Sequence, residues 1–313
     1  MAKLSVIIPC YNMGKYILDA LKSLEEQTYK DFDVIIIDDG SNDESRDVIE
    51  DFKCHSSLTI HYYYQDNAGV SAARNTAIEK SSSEYLFFLD ADDTLPTFTL
   101  SILMSDANKY DVSAGYVLKG VSCDKKNYNR KNGIENLMNE YLFNNIWYQF
   151  CSFLYKKEIV DLYSLRFSED LKYGEDEEFA WKYLCHCKTA VINCLNIYNY
   201  RDNPTSASHN VSFLRTQCID TMMRAANYFD SFHNPFGWQL KNMGVPRAKL
   251  AILKQFAMCG QYNLYKQLRN SDKYNMSLFS LLKFPDLKIR IAAFVYCISP
   301  SLFYKLFYSL LSK

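Results

Sequence analysis

Acids at the ends of apolar runs are the residues of this chain best placed to do chemistry. In YLFFLDADDT, Tyr85 to Thr94, an apolar run stops at Asp90, Asp92 and Asp93. Three carboxylates this close repel one another unless something positive meets them. A hard divalent cation is one such partner: Asp-x-Asp at a strand end supplies one or two oxygen ligands, and phosphate oxygens supply others. The alternative is a solvated acidic turn capping the helix near Phe98. A second pair, Asp38 and Asp39, ends the run DVIIIDD, and YGEDEEFAWKYL opens in acids that suit the positive end of a helix dipole. No GxGxxG follows the first strand and no GxxxxGK(S/T) is present, so bound phosphates would have to be neutralised in another way. Cys185-His186-Cys187 matches no zinc spacing.

These acids need elements to hold them. LSVIIPCYN, DVIIID (Asp33–Asp38), TIHYYYQ (Thr59–Gln65), YLFFLD and DVSAGYV (Asp111–Val117) read as five strands. Between them, Ile17, Ala20, Leu21 and Leu24 recur at helical spacing, and DESRDVIEDF and Val70 to Ser81 also read as helices. Strands apolar on both faces and separated by helices imply a mostly parallel sheet covered by helices. Ligands of such sheets bind beyond the carboxyl ends of the strands. That edge receives Tyr11-Asn12, Asp38-Asp39-Gly40-Ser41, Asp66-Asn67 and Asp90 to Asp93. From about Ile134 the alternation fades; NNIWYQFCSFLYKKEIV reads as a strand or loop feeding a helix start, and the chain from Val211 onward reads as largely helical.

At 313 residues, 48% apolar and 23% charged, the chain has an ordinary globular balance with room for one large or two modest domains. Its ten cysteines are scattered without a CxxC pair, which suits reduced thiols better than a disulfide framework. The net charge of −1 conceals an asymmetry: from Lys241 onward there are 12 Lys/Arg against two acids, Asp272 and Asp286. A basic tail on an acidic body predicts two different partners, and no nucleic acid is expected to be one of them. The apolar run Ile291 to Leu311 tempts a transmembrane reading, but Pro300, three serines and Lys305 interrupt it. The tail over 283–313 is therefore expected to lie as helix in an anionic membrane interface, the alternative being a buried helix pair.

SVIIPCYN, VIIIDDGSND, NAGVSAARN, YLFFLDADD and YGEDEEF occur here in an order and spacing that resembles the inverting family 2 glycosyltransferases of bacterial surface-polysaccharide synthesis. The resemblance spans roughly Leu4 to Tyr200. It implies an α/β fold of the GT-A (nucleotide-diphospho-sugar transferase, Rossmann-like) type, with a mostly parallel sheet followed by a helical C-terminal region. The catalytic domain would cover 1–210, with a nucleotide-sugar half over about 1–117 and an acceptor and base half over 118–210. The helical region would then cover 211–313.

Residue by residue, the resemblance puts Pro9 and Tyr11 against the nucleotide base, where Tyr11 could stack. Asp39 would accept the imino hydrogen of uracil while Asp38 braces the loop. Arg74 would orient Asp39 or reach the diphosphate, although it could equally be a helix-surface charge. Asp90 would sit near the ribose and Asp92 would ligate Mn2+ or Mg2+. Asp93 would hold a water of the metal or pair within the loop. Asp176 would be the catalytic base, with Glu175 as its rival and Glu169-Asp170 as a decoy; an ordinary aspartate is ionised at pH 7 and can take a proton from an acceptor hydroxyl. In YNYRDNPTSASHN, Arg201 and Ser206 would lie near the diphosphate, and His209 would be a further metal ligand.

The implied activity moves a hexose or N-acetylhexosamine from a UDP-sugar to a hydroxyl of a saccharide acceptor. The acceptor would meet the region from Trp147 to Tyr155 and the aromatic helices after Tyr200. With a basic, apolar tail, a lipid-linked acceptor at the inner face of the cytoplasmic membrane is expected. Two readings of other classes stand beside it. One is a nucleotidyltransferase, for which PCYNMGKY makes a poor phosphate loop; the other is a nucleotide-sugar-binding partner subunit without turnover, against which the retained Asp92 and Asp176 argue.

Overall fold

The computed structural model describes residues 2–117, 129–143, 149–203 and 211–310; Trp147, Ser206 and His209 lie outside them. The chain divides into two compact units, Met1–Glu169 with His186–Asn203, and Asp170–Cys185 with Pro204–Lys313.

The first unit is built on one eight-stranded sheet. Its strands are β1 (Leu4–Cys10), β2 (Phe32–Asp38), β3 (Ile60–Tyr64), β4 (Tyr85–Phe88), β5 (Val112–Val117), β6 (Arg130–Asn132), β7 (Phe153–Lys156) and β8 (Ala190–Tyr198). They lie in the order β3-β2-β1-β4-β7-β5-β8-β6. The five strands that the sequence predicts are β1 to β5, and β7 falls in the segment read as a strand or loop. β6 and β8 are additions. Pairing is parallel for β1 with β2 and β4, β2 with β3, and β5 with β8, while β7 runs antiparallel between β4 and β5. The sheet is thus mostly parallel, with α1 (Ile17–Glu25), α2 (Ser45–His55), α3 (Val70–Lys80), α4 (Thr99–Met104), α5 (Ile134–Phe143) and α6 (Lys157–Leu162) in the connections and flanks. β1 and β2 are rich in apolar residues because both faces of the sheet are covered; only Pro9 and Asp33 within them escape full burial.

Register decides where the acids arrive. Cys10 is level with Asp38, Tyr64 is level with the same Asp38, and Ile7 is level with Phe88. The residues that follow β1, β2, β3 and β4 therefore leave the sheet along one edge. Behind that edge Phe88 packs against Phe150, Tyr155 and Phe167, with ring centroids 5.3–5.8 Å apart.

The second unit is helical. It holds α7 (Glu175–His186), α8 (Gln217–Ser231), α9 (Phe236–Gln239), α10 (Val245–Met258), α11 (Tyr262–Arg269), α12 (Leu287–Ile298) and α13 (Pro300–Ser309). Trp181 of α7, fully buried, packs edge-on to Phe229 and stacks on Phe236. The basic, apolar tail forms α12 and α13 rather than one long helix. Ser299 caps α13 by accepting a hydrogen bond from the Leu302 N–H, and Pro300 occupies its first turn, where the missing N–H costs nothing. Among the described residues no helix is long and apolar enough to cross a membrane. The nine cysteines among them are free thiols.

Candidate functional site

The loop after β2 is the most tightly held part of the sheet edge. Asp38 accepts hydrogen bonds from the Ser41 N–H at 2.9 Å and the Tyr62 hydroxyl at 2.6 Å, so it braces the loop. Gly40 stands at φ +80, and a Cβ there would lie 2.9 Å from the Asn67 nitrogen, so the turn admits only glycine without displacement. Asp39 is 3% exposed, and its carboxylate is gripped by the loop before α3. Gln65 Nε2 donates to Oδ1 at 2.7 Å, the Ala68 N–H to Oδ1 at 2.9 Å, and the Gly69 N–H to Oδ2 at 2.8 Å. A carboxylate has about four acceptor positions, so one on Oδ2 is left to a ligand. Tyr11 follows β1 at 46% exposure, offering a ring face beside this loop, while Pro9 is half-buried in the strand. Asn12, at φ +53, accepts from the Asn42 N–H and donates its own N–H to Ser41, tying the Tyr11 turn to the Asp39 loop.

The three acids after β4 have three different environments. Asp90 faces Arg74, whose Nη2 donates to Oδ1 at 2.9 Å. Arg74 is 4% exposed, with its guanidinium 4.5 Å from the Phe150 ring centroid and 5.2 Å from that of Phe167. It is therefore not a helix-surface charge, and Asp90 is a partner that it holds. Asp93 is 1% exposed; the Tyr198 hydroxyl donates to Oδ2 at 2.8 Å and the Arg201 N–H to Oδ1 at 2.7 Å. Burial, with the neighbouring Asp90 charge, pushes its pKa up to about 8, partly offset by those two donors. Asp93 thus pairs with β8 and the residues after it. Asp92 is half-buried and accepts from Asn203 Nδ2 at 3.0 Å. Burial raises its pKa, the Asn203 bond opposes this, and the Asp90 charge adds to it. The repulsion at the strand end is thus shared out: Arg74 meets Asp90, burial shifts Asp93 toward its neutral form, and Asp92 is the acid whose charge a cation would favour.

Among the described residues no three His, Cys, Asp or Glu side chains converge into a metal cage. A single partly exposed carboxylate is instead the donor set of a hard cation completed by substrate oxygens. Asp92 fits that role, and His209 lies outside the described residues. Arg201 bonds Asp19 at 2.6 Å and lies over the Tyr16 ring, while its backbone serves Asp93. Ser206 is likewise outside.

Two contributors escape sequence reasoning. Tyr198, the last residue of β8, is fully buried, accepts from the Asp90 N–H at 3.1 Å and donates to Asp93, so one hydroxyl fixes the whole acidic turn. Asn203 orients Asp92. YNYRDN gave a signal that polar residues follow β8, but nothing in it names their partners.

In the second unit, Gly174 stands at φ +84 immediately before α7, where a Cβ would meet Thr221 Oγ1 at 2.6 Å. This turn starts the helix on its run of acids. Glu178 is buried against Lys182 at 2.7 Å, and Glu175 is buried as well. Asp176 is half-buried in the first turn, where its Oδ1 accepts from the Glu177 N–H at 2.7 Å. The decoy acids have structural partners of their own: Glu169 accepts from Asn75 at 3.0 Å in the first unit, and Asp170 pairs with Arg224 in the second.

The profile of the family described as Glycosyl transferase family 2 matches residues 5–163. The chain belongs to that family. This family 2 chain is 29% identical over 216 residues to an uncharacterized glycosyltransferase of Bacillus subtilis, EpsJ, covering 64% of this chain and 62% of the relative. It is 32% identical over 223 residues to the poly(ribitol-phosphate) beta-N-acetylglucosaminyltransferase TarP of Staphylococcus aureus, covering 68% of this chain and 66% of that one. The match thus spans under two thirds of EpsJ, and only 31% of the Streptococcus pneumoniae glycosyltransferase GlyA. Among solved structures, S. aureus TarS in complex with UDP-GlcNAc gives a TM-score of 0.58 at 19% identity, over 98% of this chain and 90% of that one. The mannosyltransferase PcManGT from Pyrobaculum calidifontis, in complex with GDP-Man and Mn2+, gives 0.54 at 17%, over 96% and 88%. At these identities the likeness concerns the fold, and it is the GT-A fold.

Proposed function

We propose that this family 2 chain is a metal-dependent inverting glycosyltransferase. It moves a hexose or N-acetylhexosamine from a UDP-sugar to a hydroxyl of a saccharide acceptor, lipid-linked, at the inner face of the cytoplasmic membrane in surface-polymer synthesis. The observation that carries the reading is the buried Asp39 carboxylate, preorganised by two backbone N–H groups and Gln65 with one acceptor position remaining at a parallel-sheet edge. That position matches the imino N–H of uracil, and Tyr11 supplies a stacking face. TarS, a structural neighbour, is known in complexes with UDP and UDP-GlcNAc.

Asp92 would hold Mn2+ or Mg2+ together with the donor diphosphate, and the cation would supply charge neutralisation to the departing UDP. Arg74 holds the Asp90 carboxylate in place, and Tyr198 braces the turn that carries Asp92. Asp176 takes the proton of the acceptor hydroxyl as that oxygen attacks the anomeric carbon. The carbon–oxygen bond to the acceptor forms as the bond to the UDP oxygen breaks. One displacement converts an α-linked donor into a β-linked product without a covalent enzyme intermediate.

The test is UDP release from a panel of UDP-sugars, with and without Mn2+, for wild type, Asp92→Ala and Asp176→Asn. We expect metal-dependent release from one sugar, lost in both variants, while Asp176→Asn still binds UDP. Pyrophosphate in place of UDP would identify a nucleotidyltransferase. Failure of any uridine nucleotide to bind with metal would refute the roles of Asp39 and Asp92.

A further inference from the structure

Eighteen large apolar side chains are strongly exposed among the described residues, and eight of them fall within α12 and α13 and the residue that follows. Scattered singles elsewhere, such as Leu162 or Trp238, are ordinary surface; a concentration of eight in two adjacent helices is not. On α12 the exposed set is Leu287, Ile291, Phe294 and Ile298, each 54–64% exposed. Their spacing of four, three and four residues keeps them on one narrow stripe of the helix. Leu302 and Leu306 continue the pattern on α13. The opposite faces are occupied: Ala292, Ala293 and Phe303 are buried, and the Tyr265 hydroxyl donates to the Pro300 carbonyl. The stripe is therefore apolar surface left over after both helices have packed.

The charges around it have one sign. Lys288 and Arg290 flank the α12 stripe on either side, Lys305 flanks that of α13, and Lys283 precedes them; all four are exposed. None of the four forms an ion pair with an acid among the described residues. Asp286, the one acid nearby, is engaged in capping α12 through the Lys288 and Ile289 N–H groups. An apolar stripe edged by unpaired cations matches an anionic bilayer surface, where the stripe enters the acyl boundary and the long basic side chains reach the headgroups.

Among the described residues, neither helix is long enough to span a bilayer. Twelve residues of α12 make a rod of about 18 Å at 1.5 Å per residue, against about 30 Å of hydrocarbon. The Ser299 cap and Pro300 end one helix and start another, so the apolar tail is two short helices. We propose that α12 and α13 form a monotopic docking face that seats this chain on an anionic lipid surface through Leu287, Ile291, Phe294, Ile298, Leu302 and Leu306. The proposal deepens the transferase reading by naming the surface on which a lipid-linked acceptor is met, and rests on that reading for its purpose. Its physical test needs no turnover.

The test is flotation of the full chain with phosphatidylcholine vesicles and with phosphatidylcholine–phosphatidylglycerol vesicles, at low and high salt, alongside UDP release by the same preparations. The expected result is binding to the anionic vesicles, weakened by salt and much weaker on phosphatidylcholine alone. Phe294→Glu with Ile298→Glu, both at exposed positions, should abolish flotation while leaving UDP release in solution unchanged. Lys288→Glu and Lys305→Glu should each lower the anionic preference about fivefold or more. Binding that survives the Phe294→Glu, Ile298→Glu change would overturn the proposal. So would a wild type that binds neither vesicle, or one that self-associates through this stripe instead, seen by light scattering. Flotation with no UDP release from any donor supports the docking face and counts against the transferase reading alone.

Discussion

Arg74 shows how one side chain changes the meaning of its neighbours. Its guanidinium is the positive group that the acidic turn requires, and two phenylalanine rings hold it beside Asp90. Arg74→Ala leaves the partly exposed Asp90 without its donor and empties the slot between the two rings, so it should lose about 1–3 kcal/mol in urea unfolding. Arg74→Lys keeps the charge but not the planar fork, and should lose clearly less while weakening UDP binding in the presence of Mn2+. Equal stability of wild type and Arg74→Ala would refute this account. The acids of the site were legible in the sequence because strand-end carboxylates stand out against apolar runs. Their partners were not: Tyr198 is over 100 residues from Asp93 along the chain, and only the fold joins them. Arg74 was visible as a residue, but its bond to Asp90 depends on where Phe150 and Phe167 pack.

The elements differ in how openly the sequence declares them. β1, β2 and β4 carry apolar runs at their centres, so they could be read directly as strands of a mostly parallel sheet. β8 was missed although it lies between β5 and β6 in the sheet. AVINCLNIY carries Asn193 and Asn196 inside a buried strand, which breaks the apolar run. Asn193 is tolerated because its amide donates to Ser113 and the Ala114 carbonyl and accepts from Arg130, three partners that no local pattern reveals. The start of β8 is tied to β5 by Asp111, which accepts from the Lys188 and Thr189 N–H groups and the Thr189 hydroxyl. Burial pulls its pKa up, but these bonds and Lys156 outweigh that and leave it below the usual carboxylate value. A carboxyl with a depressed folded pKa gives stability that is present above its unfolded pKa, near 4, and is lost as pH falls through the folded value. Asp111→Asn should therefore melt lower than wild type at pH 7, with the gap closing as pH drops below about 4. A gap that stays constant with pH would argue against this role.

For the whole molecule, composition foretold a globular body and a basic tail, and the pattern of the tail foretold helices, but the division of the chain follows a route that neither carries. The second unit takes Asp170–Cys185 from the middle of the sequence and everything after Pro204, while His186–Asn203 returns to the sheet. A fragment ending at 210 keeps α7 but lacks α8 and α9, whose Phe229 and Phe236 cover Trp181. Expressed alone, 1–210 should be insoluble or melt without a cooperative transition, whereas 1–310 should melt cooperatively; a soluble fragment with a cooperative melt would refute this. The same route has a consequence for synthesis. The ribosome delivers Trp181 before Phe229 and Phe236 exist, so the nascent chain displays an apolar helix face through the translation of roughly 50 more residues, several seconds at ordinary elongation rates. The helix bearing Asp176 is thus the first helix of its unit to be made, and the rings that cover it arrive only with α8 and α9.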